Sequence, residues 1–169
     1  KPDEWTEIVT REAQFGITLL TNSLGHKSQI KSAIIAGSYR LIEFTGAGCS
    51  TCPEPNKRYG YNAVGQLIAE HALDANGKVR SSQRFEYDGY GRLTREGNGR
   101  TFARYEYQDT HYPDGSIAIG QQPVLLARPS VIEGKERVTR IDYNAHGQPT
   151  AVIDSGFSPL DDKGEPSAT

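Results

Sequence analysis

Apolar and polar residues along this chain alternate at a period of two far more clearly than they recur at a helical spacing. The cleanest case runs from Val79 to Tyr87. Val79, Ser81, Gln83, Phe85 and Tyr87 fall on one face of an extended segment, and Arg80, Ser82, Arg84 and Glu86 fall on the other. Such alternation predicts an antiparallel strand with one wetter side. Asp3 to Glu12 could form a short helix, although the β-branched run Ile8, Val9 and Thr10 argues against it. From Phe15 onward the pattern is strand, turn, strand.

The turns repeat. Asn or Asp, two residues, Gly and then a polar residue occur at Asn22–Gly25–His26, Asn62–Gly65–Gln66, Asp74–Gly77–Lys78, Asp88–Gly91–Arg92 and Asn144–Gly147–Gln148. An Asn or Asp side chain accepts a backbone N–H two residues on and closes the turn. The glycine then takes the left-handed conformation that brings the second strand back. Tyr61, Tyr87 and Tyr143 precede three of these turns. Tyr59, Phe85 and Ile141 lie two residues upstream of them, on the same predicted face, so each pair packs against neighbouring strands. Leu67 and Leu93 begin the return strands. Tyr105 and Tyr107 copy the incoming strand, but Gln108-Asp109-Thr110-His111 lacks the glycine, so that turn is degenerate. The intervals from Tyr61 to Tyr87, Tyr107 and Tyr143 are unequal. The last holds the turn signal Tyr112-Pro113-Asp114-Gly115 and predicts an extra hairpin or an inserted loop.

Composition narrows the picture. Apolar residues make up 36% of the 169, against about 45–50% in ordinary globular chains, so the core should be thin. Eighteen glycines, and nine tyrosines against five phenylalanines, suit extended structure with tight turns, in which tyrosine packs a half-buried face and keeps its hydroxyl wet. Methionine is absent, position 1 included, and the expectation is a piece of a longer chain. The net charge is −2, from 19 basic and 21 acidic residues without a basic block, which argues against nucleic-acid binding. No apolar run is long enough to span a membrane, and no secretory signal is visible.

Candidate chemistry is sparse. Cys49 and Cys52 supply two of the four ligands a structural zinc needs, and no His pair follows at finger spacing. A turn packing the two sulfurs, with or without a disulfide, competes there with metal or redox chemistry. Asp74, Asp88, Glu86 and Asp142 could suggest a glycosidase pair, yet Asp74 and Asp88 sit at capping positions, and Glu86 and Asp142 alternate outward. His26, His71, His111 and His146 show no metal-ligand spacing. No Gly-x-Ser-x-Gly elbow occurs, and Gly97-Asn98-Gly99 precedes a strand, unlike a phosphate loop. The tyrosines could form a sugar-binding platform, but strand periodicity favours packing of the sheet. No catalytic residue, cofactor or metal ligand is predicted.

Tyr87-Asp88-Gly89-Tyr90-Gly91-Arg92-Leu93 and Tyr61-Asn62-Ala63-Val64-Gly65-Gln66-Leu67 resemble the YD repeat of RHS proteins, Tyr-Asp-x-x-Gly-Arg-Leu. Tyr143-Asn144-Ala145-His146-Gly147-Gln148-Pro149 resembles a diverged copy. Asn22-Ser23-Leu24-Gly25-His26 is similar to the family's Asp-x-x-Gly-His turn, with Thr21 in the tyrosine's place. Gly46-Ala47-Gly48-Cys49 before Cys52 resembles a glycine-cysteine turn of some RHS shells.

The resemblance covers roughly residues 15–154 and implies an all-β fold. Antiparallel hairpin repeats would form part of a curved single-layer sheet, one arc of a cocoon or solenoid shell. It further implies a structural wall that encloses a C-terminal toxin until delivery in competition between bacteria, often by type VI secretion. The implied partners are the rest of the shell, the enclosed toxin, and secretion spike and chaperone proteins. Such a protein would be made in the bacterial cytoplasm and then secreted or delivered. The family's self-cleaving Asp-Pro-x-Gly-Leu-type motif is absent, so self-cleavage is not expected. The alternative is a carbohydrate-binding β-repeat module at a bacterial surface. Residues 1–14 are read as a lead-in, 15–154 as the repeat segment and 155–169 as a loop or linker.

Overall fold

The computed structural model describes residues 16–21, 25–47, 56–130, 132–160 and 166–168. Cys49 and Cys52, Asn22 and the lead-in 1–14 lie outside the described residues, so the readings made of them stay as expectations. All regular structure among the described residues is β. In chain order the strands are β1 (Ile17–Thr21), β2 (Lys27–Ile35), β3 (Ser38–Gly46), β4 (Lys57–Tyr61), β5 (Leu67–Leu73), β6 (Val79–Tyr87), β7 (Leu93–Gly97) and β8 (Phe102–Tyr107). They continue with β9 (Thr110–His111), β10 (Ile117–Ala118), β11 (Pro123–Pro129), β12 (Glu136–Tyr143), β13 (Pro149–Ser155), β14 (Phe157–Leu160) and β15 (Pro166–Ala168). Among the described residues eleven strands join in one antiparallel sheet, in the order β1-β2-β3-β4-β5-β6-β7-β8-β11-β12-β13. The order is open, with β1 and β13 at its ends, so the pairing does not close into a barrel. β9–β10 and β14–β15 are separate two-stranded ladders, and the latter falls within the stretch expected as loop or linker.

The chain divides into two compact units, Lys1–Arg84 and Phe85–Thr169. In the first, β1 to β5 and β6 as far as Arg84 form an up-and-down meander. The β2–β3 hairpin turns through Ala36 and Gly37, both at positive φ (50° and 75°); this two-residue, primed turn matches the strand twist. A polar row crosses the meander, with Lys31 opposite Glu43, Glu43 opposite Arg58, Arg58 opposite His71 and His71 opposite Ser82. Glu43 pairs with both Lys31 (2.6 Å) and Arg58 (2.8 Å). His71 Nδ1 and Ser82 Oγ share a hydrogen bond of 2.7 Å.

In the second unit β8 pairs with β11, β11 with β12 and β12 with β13, all antiparallel. The core is thin in both units. Among the described residues only Phe44, Leu73 and Ala127 are buried hydrophobics.

Strict alternation does not hold along β6. Phe85 and Tyr87 are half-covered and Glu86 is exposed, as the period of two requires, but Val79, Ser81 and Gln83 are exposed and Ser82 is the covered residue of that half. A bulge breaks the face at its start, where Leu73 pairs with Val79 and Ala72 with Ser81 and Arg80 is the extra residue, and Ser82 is covered where it bonds His71.

Candidate functional site

Each repeated turn is built from the same bonds. The N–H of the Asn or Asp residue donates to the carbonyl four residues on, and the glycine N–H donates back to the first carbonyl: Asn62/Gln66/Gly65, Asp74/Lys78/Gly77, Asp88/Arg92/Gly91 and Asn144/Gln148/Gly147, all at 2.8–3.0 Å. Inside this ring the side-chain Oδ1 accepts two backbone N–H groups. Asn62 takes Val64 and Gln66, Asp74 takes Asn76 and Lys78, Asp88 takes Tyr90 and Arg92, and Asn144 takes His146 and Gln148. Gly65 and Gly91 sit at φ 83° and 84°, a conformation that costs an L-residue roughly 1–2 kcal/mol.

The residue four positions on is chemically matched to the first. Asn62 Nδ2 donates to Gln66 Oε1 (2.8 Å), and Asn144 Nδ2 donates to Gln148 Oε1 (3.0 Å). Where the first residue is Asp88, which has only acceptors, the fourth is Arg92, whose Nε donates to Oδ2 at 2.7 Å.

Two further regularities belong to the repeat. Tyr61 pairs with Leu67 and Gly60 with Ala69; Tyr143 pairs with Pro149 and Asp142 with Ala151. Together with Leu73 opposite Val79, this places a bulge one residue into three of the return strands, at Ile68, Arg80 and Thr150. Thr150 Oγ1 donates to the Asp142 carbonyl, and Thr94 Oγ1, at the equivalent position after the Asp88 turn, donates to the Glu86 carbonyl.

The tyrosine hydroxyls are not left to water as expected. Tyr61 donates to the Leu41 carbonyl (2.9 Å), Tyr107 to that of Leu93 (2.9 Å) and Tyr143 to that of Pro123 (3.0 Å), each on the preceding strand of the sheet. Tyr105 donates to Glu96 (2.6 Å). Burial pushes the phenols of Tyr61, Tyr87 and Tyr107 up. Burial and the bond to the Glu96 carboxylate take that of Tyr105 to about 12. These hydroxyls are committed within the sheet.

Arg92 is the most heavily engaged side chain of the repeats. Its Nη1 donates to Asp109 Oδ1 (2.6 Å) and to the Gly120 carbonyl (2.7 Å). Its guanidinium lies over the rings of Tyr107 (4.6 Å) and Tyr90 (5.2 Å). The guanidinium holds the Asp109 carboxyl below its ordinary range. Burial pushes Asp88 up, but the N–H and guanidinium of Arg92 outweigh it and leave the carboxyl lowered.

The other sequence candidates are scattered. Asp74 and Asp88 cap turns, Glu86 pairs with Arg95 at 3.5 Å, and Asp142 is exposed. His71 is bound to Ser82, His111 lies opposite Ile117 in β9, and His146 sits in a turn. No pair of these carboxylates is brought together around a cleft. The Gln108–His111 stretch does not close a turn; Asp109 there receives Arg92 instead. The predicted extra hairpin is β9–β10. Its turn, Tyr112 to Ser116, repeats the same backbone ring, with Asp114 capping Ser116 in place of a first-position Asn or Asp. The threonine ties at Thr94 and Thr150 and the Asp109 contact escaped sequence reasoning. Leu93-Thr94 and Pro149-Thr150 were the local signal for the first, whereas the second depends on a contact distant in sequence.

Residues 61–103 match the family model described as RHS Repeat. No curated protein matches the chain. The matched segment holds the Tyr61–Leu67 and Tyr87–Leu93 turns with their glycines and i,i+4 side-chain pairs. Over residues 61–103 the chain carries RHS/YD repeats.

Proposed function

We propose that this chain is a stretch of wall in a larger RHS shell, which encloses a C-terminal toxin domain until delivery in competition between bacteria. The observation that carries this reading is the recurrence of one hairpin unit, with its turn, bulge and tyrosine tie, in a sheet that buries only three large or small apolar residues among those described. A sheet with so little of its own core depends on neighbouring protein to cover its faces and edges. Containment is the mechanism: the wall keeps the toxin from its producer, and the chain itself performs no chemistry. Of the residues that could have acted in catalysis, Asp74 and Asp88 cap turns, Glu86 pairs with Arg95 and His71 with Ser82.

In this reading the partners are the remainder of the shell, the enclosed toxin, and spike and chaperone proteins of a secretion apparatus. The parent protein is made in the bacterial cytoplasm and delivered to target cells. Limited proteolysis of the intact parent protein tests this. Its C-terminal domain should survive a protease dose that destroys the same domain expressed alone. Equal digestion rates would end the containment reading.

A further inference from the structure

The second unit contains an excursion that the sheet ignores. At the end of β8 the chain leaves the sheet, and it returns at β11. These two strands nevertheless pair directly, with Tyr105 opposite Leu126 and Tyr107 opposite Pro123. Between them β9 and β10 pair only with each other. Every residue from Thr110 to Ala118 is exposed, so this arm adds no buried side chain to the core of its unit.

Its neck is built differently. Gln108–Asp109 and Gly120 stand where the arm departs and returns. The Gly120 N–H donates to Asp109 Oδ1 at 3.0 Å, and Arg92 Nη1 bridges Asp109 Oδ1 (2.6 Å) and the Gly120 carbonyl (2.7 Å). A Cβ on Gly120 would meet the Gln108 carbonyl at 2.2 Å, so the backbones approach at a distance only glycine permits. Arg92 is itself fixed by Asp88 and by the ring of Tyr107, and its side chain is 9% exposed. One arginine therefore joins a repeat turn to both sides of the neck, in a planar, multiply bonded arrangement that a lysine could not reproduce.

We propose that Arg92 is a latch at the neck of the 110–118 arm, which makes the arm a self-contained insertion whose length and sequence can change while the sheet stays paired. The latch takes up the ordering that the arm would otherwise impose on β8 and β11. The arm is thus the place where this wall accepts foreign sequence.

The test uses the 169-residue chain. A flexible Gly/Ser segment inserted between Pro113 and Asp114, about as long as the arm, should lower the melting temperature by at most about 5 °C, the loop-closure cost of a doubled loop. The same segment inserted between Gly89 and Tyr90 should unfold the unit. Arg92→Gln, which keeps a donor for Asp88 but cannot span the neck, should speed hydrogen exchange of the Gly120 amide by on the order of tenfold or more and open the neck to protease. Should Arg92→Gln fail to fold, Arg92→Lys keeps the charge beside Asp88 but lacks the planar fork that spans Asp109 and Gly120, and should give the same faster exchange. Cooperative unfolding on lengthening the arm, or unchanged Gly120 exchange in the folded variants, would overturn the latch.

Discussion

Removing a single hydroxyl tests why the repeats use tyrosine where phenylalanine would pack as well. In Tyr143→Phe the ring and its half-buried packing stay, while the 3.0 Å bond to the Pro123 carbonyl is lost. Pro123 opens β11 opposite Tyr107, so the orphaned carbonyl lies at a strand junction. A net intramolecular hydrogen bond contributes about 0.5–1.5 kcal/mol. Partial access of water to the vacated site favours the middle of that range, about 1 kcal/mol. For a unit of this size that corresponds to a fall in melting temperature of roughly 4–8 °C. Tyr61→Phe and Tyr107→Phe remove equivalent bonds, to Leu41 and Leu93, and should cost similar amounts. Tyr90, 59% exposed, is the control, and Tyr90→Phe should melt with the wild type. Thermal and denaturant unfolding followed by circular dichroism supply the numbers. If all three variants melt like Tyr90→Phe, the hydroxyl ties contribute nothing and the repeat's tyrosines are there for their rings alone.

Three other outcomes follow from the same geometry. Gly91→Val, at φ 84°, should destabilise the chain by roughly 1–3 kcal/mol through left-handed strain at a β-branched residue; Gly89→Ala, where nothing lies within 4 Å and φ is not positive, should be nearly silent in the same denaturant titration. Tyr105, whose folded pKa of about 12 lies above the ordinary 10.0, stabilises the fold fully below pH 10, and that contribution is lost as pH rises toward 12; in Tyr105→Phe the decline in stability over this alkaline range should be shallower, and an unchanged slope would contradict the burial of this phenol. Glu43 is lowered, chiefly by its bond to Lys31, from an ordinary value of 4.5, so its contribution is present above that pH and disappears on acidification through its folded value; Glu43→Gln should flatten the acid limb of a stability–pH curve, and an equally steep limb would assign acid sensitivity to other groups.

Much of this architecture was legible in the residues alone. Asn or Asp followed by glycine three positions on dictates a turn because the side-chain oxygen, the positive-φ position and the reversed chain are all local. Hence the hairpins at Asn62, Asp74, Asp88 and Asn144 could be placed from sequence. The matching of Asn62 with Gln66 and of Asp88 with Arg92 was equally visible as spelling, although its meaning as a donor–acceptor pair appeared only with the atoms in place. The face predicted for Val79 to Tyr87 is broken at its start by the bulge at Arg80 and covered at Ser82 through His71, and both depend on how β5 and β6 pair, which a single strand does not encode.

Sequence by itself determined the class of structure and the positions of its bends, since those rest on backbone sterics and contacts within five residues. Tertiary structure alone decided where the tyrosine hydroxyls go, which carboxylate Arg92 takes beside its own turn partner, and that β8 passes over the 110–118 arm to pair with β11. Each of these joins groups nine or more positions apart, and such a choice belongs to the register between strands, which is settled only when the whole sheet forms.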